Sequence, residues 1–279
     1  MQPIKVNNLE IRLAKTEQDI EASQSLRYRV FYEEMGAKPC PRILKTLLDF
    51  DPYDEFCDHL LVIDSDRGSS GNPCVVGTYR LLRGSVADQY AGFYSETEFD
   101  LGNLINRSGE VLELGRSCID AEYRSRGTMQ LLWRGIANYV FDYSIKYLFG
   151  CASIPGINPY EMKLPLSYLH HFHLAPKHLR TRALDERYVA MDKMAKDTIN
   201  ESQAWRELPP LLRGYLRLGG VIGEGAVIDY DFNTVDVNII VETANVTKKY
   251  LDHYSRDTHV TPPQSRRSTP QYPSNGVAA

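Results

Sequence analysis

The sequence predicts a mixed α/β domain, and three observations support this fold class. Short apolar segments typical of strands alternate with longer segments whose apolar residues recur at helical spacing. Within residues 111–154, a strand, a basic loop, a long helix and a second strand follow one another. The 279 residues are 43% hydrophobic and 24% charged, which is typical of a globular protein and argues against a disordered chain.

The chain begins with a predicted strand and helix. Residues 9–14 alternate apolar and polar side chains, as a half-buried strand does. Thr16 and Asp19 then resemble a capping box, with Asp in place of the usual Glu. A helix is therefore expected to run to about Met35 and to stop at Gly36.

The next elements predict a hairpin and the start of the central unit. Residues 59–64 and 74–83 are expected to be two strands of a hairpin, joined by a turn-rich loop at 65–73. Residues 111–119 predict another strand. A basic loop that contains glycine follows at 123–127.

A long helix and further strands complete the domain. The helix is indicated by apolar residues at helical spacing, namely Leu132, Ile136, Tyr139, Val140 and Tyr143. Strands are expected at 147–154 and 237–242. The last 24 residues, 256–279, are rich in Pro, Ser and Thr and lack apolar periodicity, which predicts a disordered tail. The folded domain is therefore expected to span residues 1–255.

Composition and charge exclude several classes of protein. The five cysteines are scattered and form no C-x-x-C pair, which is typical of free thiols in a reducing cytosol. The net charge of −4 argues against broad nucleic-acid binding. No apolar run approaches the ~18 residues of a membrane span, and the first residues lack a secretory pattern. A cytoplasmic protein is expected.

Three polar clusters are candidates for chemistry: residues 26–36, residues 49–54 with Arg80 downstream, and residues 113–128. Carboxylates suit a cationic ligand, and arginine suits a carboxylate through a bidentate contact. A glycine in a basic loop before a helix exposes backbone N–H groups to a phosphate. Each cluster also has a structural alternative: an ion pair, a polar turn or a solvated loop.

The third cluster resembles the loop that holds the pyrophosphate of acyl-coenzyme A in the GCN5-related N-acetyltransferase (GNAT) superfamily. Arg124 and Gly127 match its Arg/Gln-x-x-Gly-x-Gly/Ala pattern, whereas Met129 replaces the final small residue. The resemblance implies a GNAT-like α/β fold, with a central mixed twisted sheet flanked by helices. The implied acyl-donor-binding residues are Arg124, Arg126, Gly127 and Thr128.

The order of the clusters is similar to that in the acyl-homoserine-lactone synthases, a GNAT branch. These enzymes show Arg-x-x-x-Phe on the first helix, then Asp-x-x-Asp, an Arg in a strand, and Glu-x-x-Arg before the central helix. The matching residues are Arg27 and Phe31, Asp51 and Asp54, Arg80, and Glu113 and Arg116. The resemblance implies that the first five bind substrate and that the last two belong to the catalytic site.

Most of the chain, including the late stretch 210–219, more closely resembles the bacterial L-ornithine N-alpha-acyltransferases. This implies transfer of a 3-hydroxyacyl group from acyl carrier protein to the alpha-amine of L-ornithine, giving lyso-ornithine lipid, with peripheral membrane contact left open. It implies no cofactor, because the donor carries its own phosphopantetheine. Two alternatives are a lactone-synthase-like enzyme that uses S-adenosylmethionine, and a non-catalytic GNAT-like module that binds acyl carrier protein or membrane.

Glu113 is the expected base, because an ammonium acceptor must lose a proton before it attacks. Residues three apart in a regular strand point to opposite faces, so Glu113 and Arg116 can share a site only if the strand bulges, for which Gly115 is well placed. The resemblance gives Tyr168 the role of proton donor to the leaving thiolate. The histidines of residues 170–173 lack matching ligand spacing, and no metal site is predicted.

Overall fold

The structure, a computed structural model, describes residues 1–69, 71–90, 92–124 and 126–246, without the side chain of Arg126. In this part of the chain the strands are β1 (Ile4–Val6), β2 (Leu9–Leu13), β3 (Asp58–Ser69), β4 (Asn72–Arg83), β5 (Phe99–Asp100), β6 (Glu110–Ile119), β7 (Ile145–Pro155), β8 (Arg182–Ala183), β9 (Val221–Ile222), β10 (Val227–Asp229) and β11 (Thr234–Glu242). The helices are α1 (Glu17–Tyr28), α2 (Pro41–Thr46), α3 (Gly84–Ala87), α4 (Gly102–Ile105), α5 (Arg126–Asp142), α6 (Lys163–His173), α7 (Glu201–Glu207) and α8 (Pro210–Arg217). None of these helices is long and apolar enough to cross a lipid bilayer. The predicted tail, 256–279, lies outside the described residues, so the boundary at 255 stays a prediction.

One mixed sheet organises the domain. Its strands lie in the order β1-β2-β3-β4-β6-β7-β11-β10, and β9 pairs with β11. The pairs are antiparallel apart from β6 and β7, which are parallel. A parallel pair requires a crossover connection, and α5 supplies it. The predicted strand–loop–helix–strand unit is therefore confirmed. A second, two-stranded sheet pairs β5 with β8.

Helices cover both faces of the main sheet. On β3, Leu60 packs in the same core as Leu132 and Ile136 of α5, whereas the next residue, Leu61, packs with Leu26 of α1. Successive strand residues point to opposite faces, so the two helices lie on opposite sides. This layering confirms the predicted α/β class.

The first helix starts as predicted but changes form. The hydroxyl of Thr16 accepts a hydrogen bond from the backbone N–H of Asp19 at 3.2 Å, which caps α1. After Tyr28 the backbone continues as a π-helix over Arg29–Glu34. Gly36 follows with φ of 76°, a left-handed conformation that suits glycine. The apolar spacing predicts the length of the helical segment, but it does not distinguish the wider π turn from an α turn.

The hairpin is confirmed, although its strands are longer than expected. The predicted loop at 65–73 is mostly strand, because β3 extends to Ser69 and β4 starts at Asn72. This end of the hairpin is polar and largely exposed. The apolar pattern that predicts a strand therefore ends before the backbone pairing does.

Candidate active site

A cleft of about 730 Å³ opens where β6 and β7 part. The parallel pairing of the two strands ends at Glu113 and Phe149. Residues beyond this point on both strands line the cleft. Lining residues include Gly115, Arg116 and Ser117 of β6, Cys151, Ala152 and Ser153 of β7, and Pro210, Leu211 and Tyr215 of α8. An extended substrate arm can therefore enter between two strands of the sheet.

Gly150 lies at the closed end of this cleft. A β-carbon at this position would lie 2.3 Å from the carbonyl oxygen of Leu114 on β6. That distance is far below van der Waals contact, so only glycine permits this approach of the two backbones.

β6 bulges at the cleft. Two of its residues, Arg116 and Ser117, oppose the single residue Tyr79 of β4. Arg116 adopts φ of 49°, in a region that residues with a side chain rarely occupy. The expected bulge is confirmed, with its left-handed residue one position after Gly115. As a result Glu113 and Arg116 both line the cleft.

The carboxylate of Glu113 is buried and held by two backbone amides. Its Oε2 accepts from the N–H of Tyr94 at 3.0 Å, and its Oε1 from the N–H of Ser95 at 2.7 Å. Burial raises the pKa of Glu113, and the hydrogen bonds from Ser95 and the charge of Arg80 offset only part of the rise. A carboxylate has about four acceptor sites, so Glu113 can still take a proton from a ligand. Its role as the base stays a prediction.

Arg27 is fully buried among carboxylates. Its Nε donates to Asp49 Oδ2 at 2.7 Å, and Nη1 and Nη2 donate to the two oxygens of Asp54 at 3.0 and 2.7 Å. Nη2 also donates to the carbonyl of Asp49 at 2.5 Å. Because the side chain is 0% exposed, the geometry gives Arg27 a positioning role through Asp49 and Asp54. The predicted role of Arg27 in binding substrate stays a prediction. Burial argues against direct contact between its side chain and the acceptor.

Arg80 and Arg116 extend this network to the cleft. Arg80 Nη1 donates to Asp51 Oδ1 at 2.5 Å and to Asp54 Oδ1 at 3.0 Å. Arg116 Nη2 donates to Asp51 Oδ2 at 2.9 Å, and its Nε lies 3.3 Å from Asp49 Oδ2. With Arg27, three guanidinium groups face three carboxylates. This arginine–aspartate network is balanced in charge.

Asp51 and Asp54 are therefore engaged by arginine. Burial raises the pKa of both carboxyl groups, but the neighbouring guanidinium charges outweigh it and hold both pKa values below the ordinary range. The sequence predicts that these carboxylates bind the cation of the acceptor, whereas the structure gives them guanidinium partners. Arg80 and Phe31, expected to bind substrate, line the cleft, as does Arg116, expected to be catalytic; these roles stay predictions.

Other carboxyl groups lie at the β7–β11 side of the cleft. Asp229 and Asp236 line it, and Glu98 lies behind them, accepting from Cys151 Sγ at 3.2 Å. Burial raises the pKa of Glu98 and of Asp236, and the charge of a neighbouring carboxylate adds to each rise. In the described part of the chain, Arg187 is the one cation within ion-pair distance of these three groups, at 3.5 Å from Glu98. We call Glu98, Asp229 and Asp236 the acidic wall; unlike the arginine–aspartate network, it has an excess of carboxyl groups.

Part of the acidic wall also has the geometry of metal ligands. One oxygen of Glu98, one of Asp236 and Sγ of Cys151 lie within 4.8 Å of one another. Burial raises the pKa of the Cys151 thiol well above its ordinary value, and the thiol donates to Glu98. The arrangement fits a hydrogen-bonded cluster, and the expected absence of a metal stays a prediction.

Tyr168 does not lie in the cleft, which corrects the sequence-based expectation. It lies on α6, where its ring packs 5.3 Å from that of Phe172 and 5.0 Å from that of His173. Tyr215 of α8 lines the cleft instead, with its hydroxyl 3.3 Å from that of Tyr79. Burial raises the pKa of Tyr215 well above its ordinary value, so its proton is retained at neutral pH.

The predicted donor loop lies at the cleft. Arg124 lines the cleft, and its guanidinium pairs with Glu34. The 17-residue α5 begins at Arg126, with Gly127 exposed and Thr128 buried in its first turn. The start of a long helix favours a phosphate through its N–H groups and dipole. The side chain of Arg126 lies outside the described part, so its donor role, like those of the other loop residues, stays a prediction.

The acidic wall is the feature that sequence reasoning missed. One signal was available: Asp236 and Asn238 interrupt the otherwise apolar strand β11, and both are buried. A buried polar residue in an apolar strand requires a partner, and its presence indicates structural or functional constraint. Glu98 follows a short turn with no comparable signal.

Comparisons with known proteins identify the family of this chain. Residues 26–134 match the acetyltransferase (GNAT) domain family. The L-ornithine N(alpha)-acyltransferase of Rhizobium meliloti (strain 1021) is 43% identical over 255 residues, which are 91% of this chain and 86% of that protein. The enzyme of the same name from Brucella abortus (strain 2308) is 44% identical over 257 residues, 91% of this chain and 92% of that protein.

Two solved structures are similar to this chain at low sequence identity. FeeM, an N-acyl amino acid synthase from uncultured soil microbes, is 13% identical with a TM-score of 0.47, covering 88% of this chain and 95% of its own. The AHL synthase LasI is 13% identical with a TM-score of 0.43, covering 83% of this chain and 89% of its own.

The family follows from the curated relatives. The two relatives are 43% and 44% identical over 91% of the chain. These relatives are enzymes, which sets aside the alternative of a non-catalytic module. The chain belongs to the L-ornithine N(alpha)-acyltransferase family and is an acyltransferase with a GNAT fold.

Proposed function

We propose that the protein transfers a 3-hydroxyacyl group from acyl carrier protein to the alpha-amine of L-ornithine, forming lyso-ornithine lipid. The observation that carries this proposal is that Glu113, Asp229 and Asp236 all line the cleft that opens between β6 and β7. The acceptor is taken from the relatives, which are named L-ornithine N(alpha)-acyltransferase.

The charges of the cleft suit ornithine. At neutral pH ornithine has an alpha-carboxylate, an alpha-ammonium and a distal ammonium. The acidic wall supplies carboxyl groups for the distal cation, with Asp229 and Asp236 at the cleft surface. Arg116 lines the same cleft, with its guanidinium 5.0 Å from the ring of Tyr94 and 4.7 Å from that of Phe232. Its Nε and Nη2 face Asp49 and Asp51, so Nη1 is the group that we assign to the alpha-carboxylate. The alpha-amine would then lie towards Glu113.

The chemical step needs a base, an attacked carbonyl and an acid. Glu113 accepts a proton from the alpha-ammonium, because burial raises its pKa. The freed amine attacks the thioester carbonyl, so that a C–N bond forms and the C–S bond breaks. We assign to Tyr215, which lines the cleft, the donation of a proton to the departing thiolate, and the second proton that the attacking nitrogen loses restores the Tyr215 hydroxyl.

The donor site suits a single phosphate. The first turn of α5 provides one helix N-terminus, and Arg124 provides one cation, which the phosphate would share with Glu34. The pantetheine arm of acyl carrier protein brings one phosphate, whereas coenzyme A brings a pyrophosphate and a further phosphate. Met129 lines the cleft in place of the usual small residue, which suits a donor with one phosphate.

The experiment is a product assay with purified protein, 3-hydroxyacyl carrier protein and L-ornithine, followed by mass spectrometry. The expected product has the mass of the acid plus ornithine minus water, with the acyl group on the alpha-nitrogen. Matched reactions replace the donor by the corresponding acyl-coenzyme A or the acceptor by S-adenosylmethionine. Equal use of both donors would contradict the carrier-protein assignment, and a product from S-adenosylmethionine but not from ornithine would contradict the acceptor.

A further inference from the structure

A surface segment beside the cleft has a composition that folding does not explain. Residues 35–47 contain no acidic residue and three basic ones, in a chain whose net charge is −4. Lys38, Arg42 and Lys45 are all exposed. We call residues 35–47 the basic–apolar segment.

The same segment exposes large apolar side chains. Met35 is 43% exposed, Leu44 55% and Leu47 52%, while Ile43 is buried and fixes α2 to the domain. Leu47 ends α2 in the left-handed conformation, with φ of 57°. Glycine or asparagine is usual at such a position, so neither backbone preference nor core packing accounts for a leucine there.

The basic–apolar segment lies at the rim of the cleft. Met35 itself lines the cleft. The backbone N–H of Lys38 donates to the carbonyl of Asp231 at 2.6 Å, which joins the segment to the turn between β10 and β11. That turn carries the exposed Tyr230, and its Phe232 lines the cleft. A partner bound at the segment would therefore contact the cleft entrance.

We propose that the basic–apolar segment docks the protein on an anionic lipid bilayer. Met35, Leu44 and Leu47 would enter the headgroup region while the three basic side chains contact lipid phosphates, the combination typical of interfacial helices. The protruding side chains favour a bilayer over a folded partner, because lipid accepts them without a complementary pocket. The proposal rests in part on the proposed function, whose acylated product partitions into lipid.

The test is co-sedimentation with vesicles of phosphatidylcholine plus phosphatidylglycerol, compared with phosphatidylcholine alone, at low and high salt. Wild type should bind the anionic vesicles, and salt should weaken binding. Each basic residue near an anionic surface contributes about fivefold in affinity, so the triple variant Lys38→Gln, Arg42→Gln, Lys45→Gln should bind on the order of 100-fold more weakly. In the single variant Leu47→Trp, the added indole fluorescence should shift to shorter wavelength with anionic vesicles.

The matched control removes three basic residues elsewhere, in the variant Lys5→Gln, Lys163→Gln, Arg206→Gln, which should bind like wild type. Equal weakening of both triple variants would overturn the proposal, as would no binding by wild type. It would also be overturned if the segment bound acidic acyl carrier protein but no vesicles. Because the assay contains no substrate, its result is independent of whether ornithine is the acceptor.

Discussion

Replacement of the buried Arg27 tests the arginine–aspartate network most directly. Arg27→Met keeps most of the side-chain volume but removes four hydrogen bonds to Asp49 and Asp54. Removal of one partner from a buried ion pair typically costs ~3–5 kcal/mol. Asp49 retains Arg116 at 3.3 Å and Asp54 retains Arg80 at 3.0 Å. We therefore expect the lower end of that range, about 3 kcal/mol of unfolding free energy.

Arg29 is the matched control, because it lies one residue beyond α1 and its side chain is 45% exposed, with Asp120 at 3.4 Å. Arg29→Met should cost about 0–1 kcal/mol, as exposed ion pairs do. Urea unfolding followed by circular dichroism at neutral pH measures both values. Similar losses for the two variants would refute the assignment of Arg27 to a stabilising buried network.

The pH dependence provides a second check on Arg27. In the wild type the pKa of Asp54 is lowered, so its stabilising contribution is present above the ordinary pKa of 3.8 and is lost as the pH falls below it. In Arg27→Met, burial acts on Asp54 without its main cationic partner, so this carboxyl should protonate at higher pH. The stability difference between the two proteins should therefore narrow as the pH falls, and a widening difference would contradict the reasoning.

Four further predictions concern catalysis. Glu113→Gln should lower kcat by ~10²–10⁴-fold while the fold survives, although one backbone N–H of Tyr94 or Ser95 loses its acceptor. A variant within a few-fold of wild type would remove Glu113 as the base. Because the pKa of Glu113 is raised, wild-type kcat/KM should rise with pH through a limb above 4.5, the ordinary value. Asp236→Asn should raise the KM for ornithine without changing the KM for the donor. The exposed control Asp66→Asn should change neither KM. Equal effects of Asp236→Asn on both KM values would contradict the assignment of the acidic wall as a cation site. Arg124→Glu should raise the KM for the carrier-bound donor. This increase in KM should become smaller as salt is added, because the Debye length falls from ~10 Å at 0.1 M to ~3 Å at 1 M. An increase that does not depend on salt would argue against electrostatic docking.

Local patterns were sufficient to predict much of the fold. β2, β6, β7 and β11 lie where alternation or apolar runs indicate strands, and α5 lies where the spacing from Leu132 to Tyr143 indicates a helix. The cap at Thr16 also follows from a local pattern. Each depends on residues within a few positions of one another, and backbone geometry sets their period. The bulge near Gly115 is expected for another reason, because the resemblance puts Glu113 and Arg116 in one site.

Only the tertiary structure decided which charged groups pair and which face a substrate. Asp54 is three residues from Asp51 in the sequence, and both are bound by arginines from α1, β4 or β6. The acidic wall joins residues that are far apart along the chain, Glu98, Asp229 and Asp236. A carboxylate has the same local sequence signal whether its partner is a guanidinium or a ligand, because the distances between elements determine the partner. The sequence by itself therefore determined the helices, the strands and the family resemblance. The packing of β6, β7 and β11 determined which carboxyl groups line the cleft.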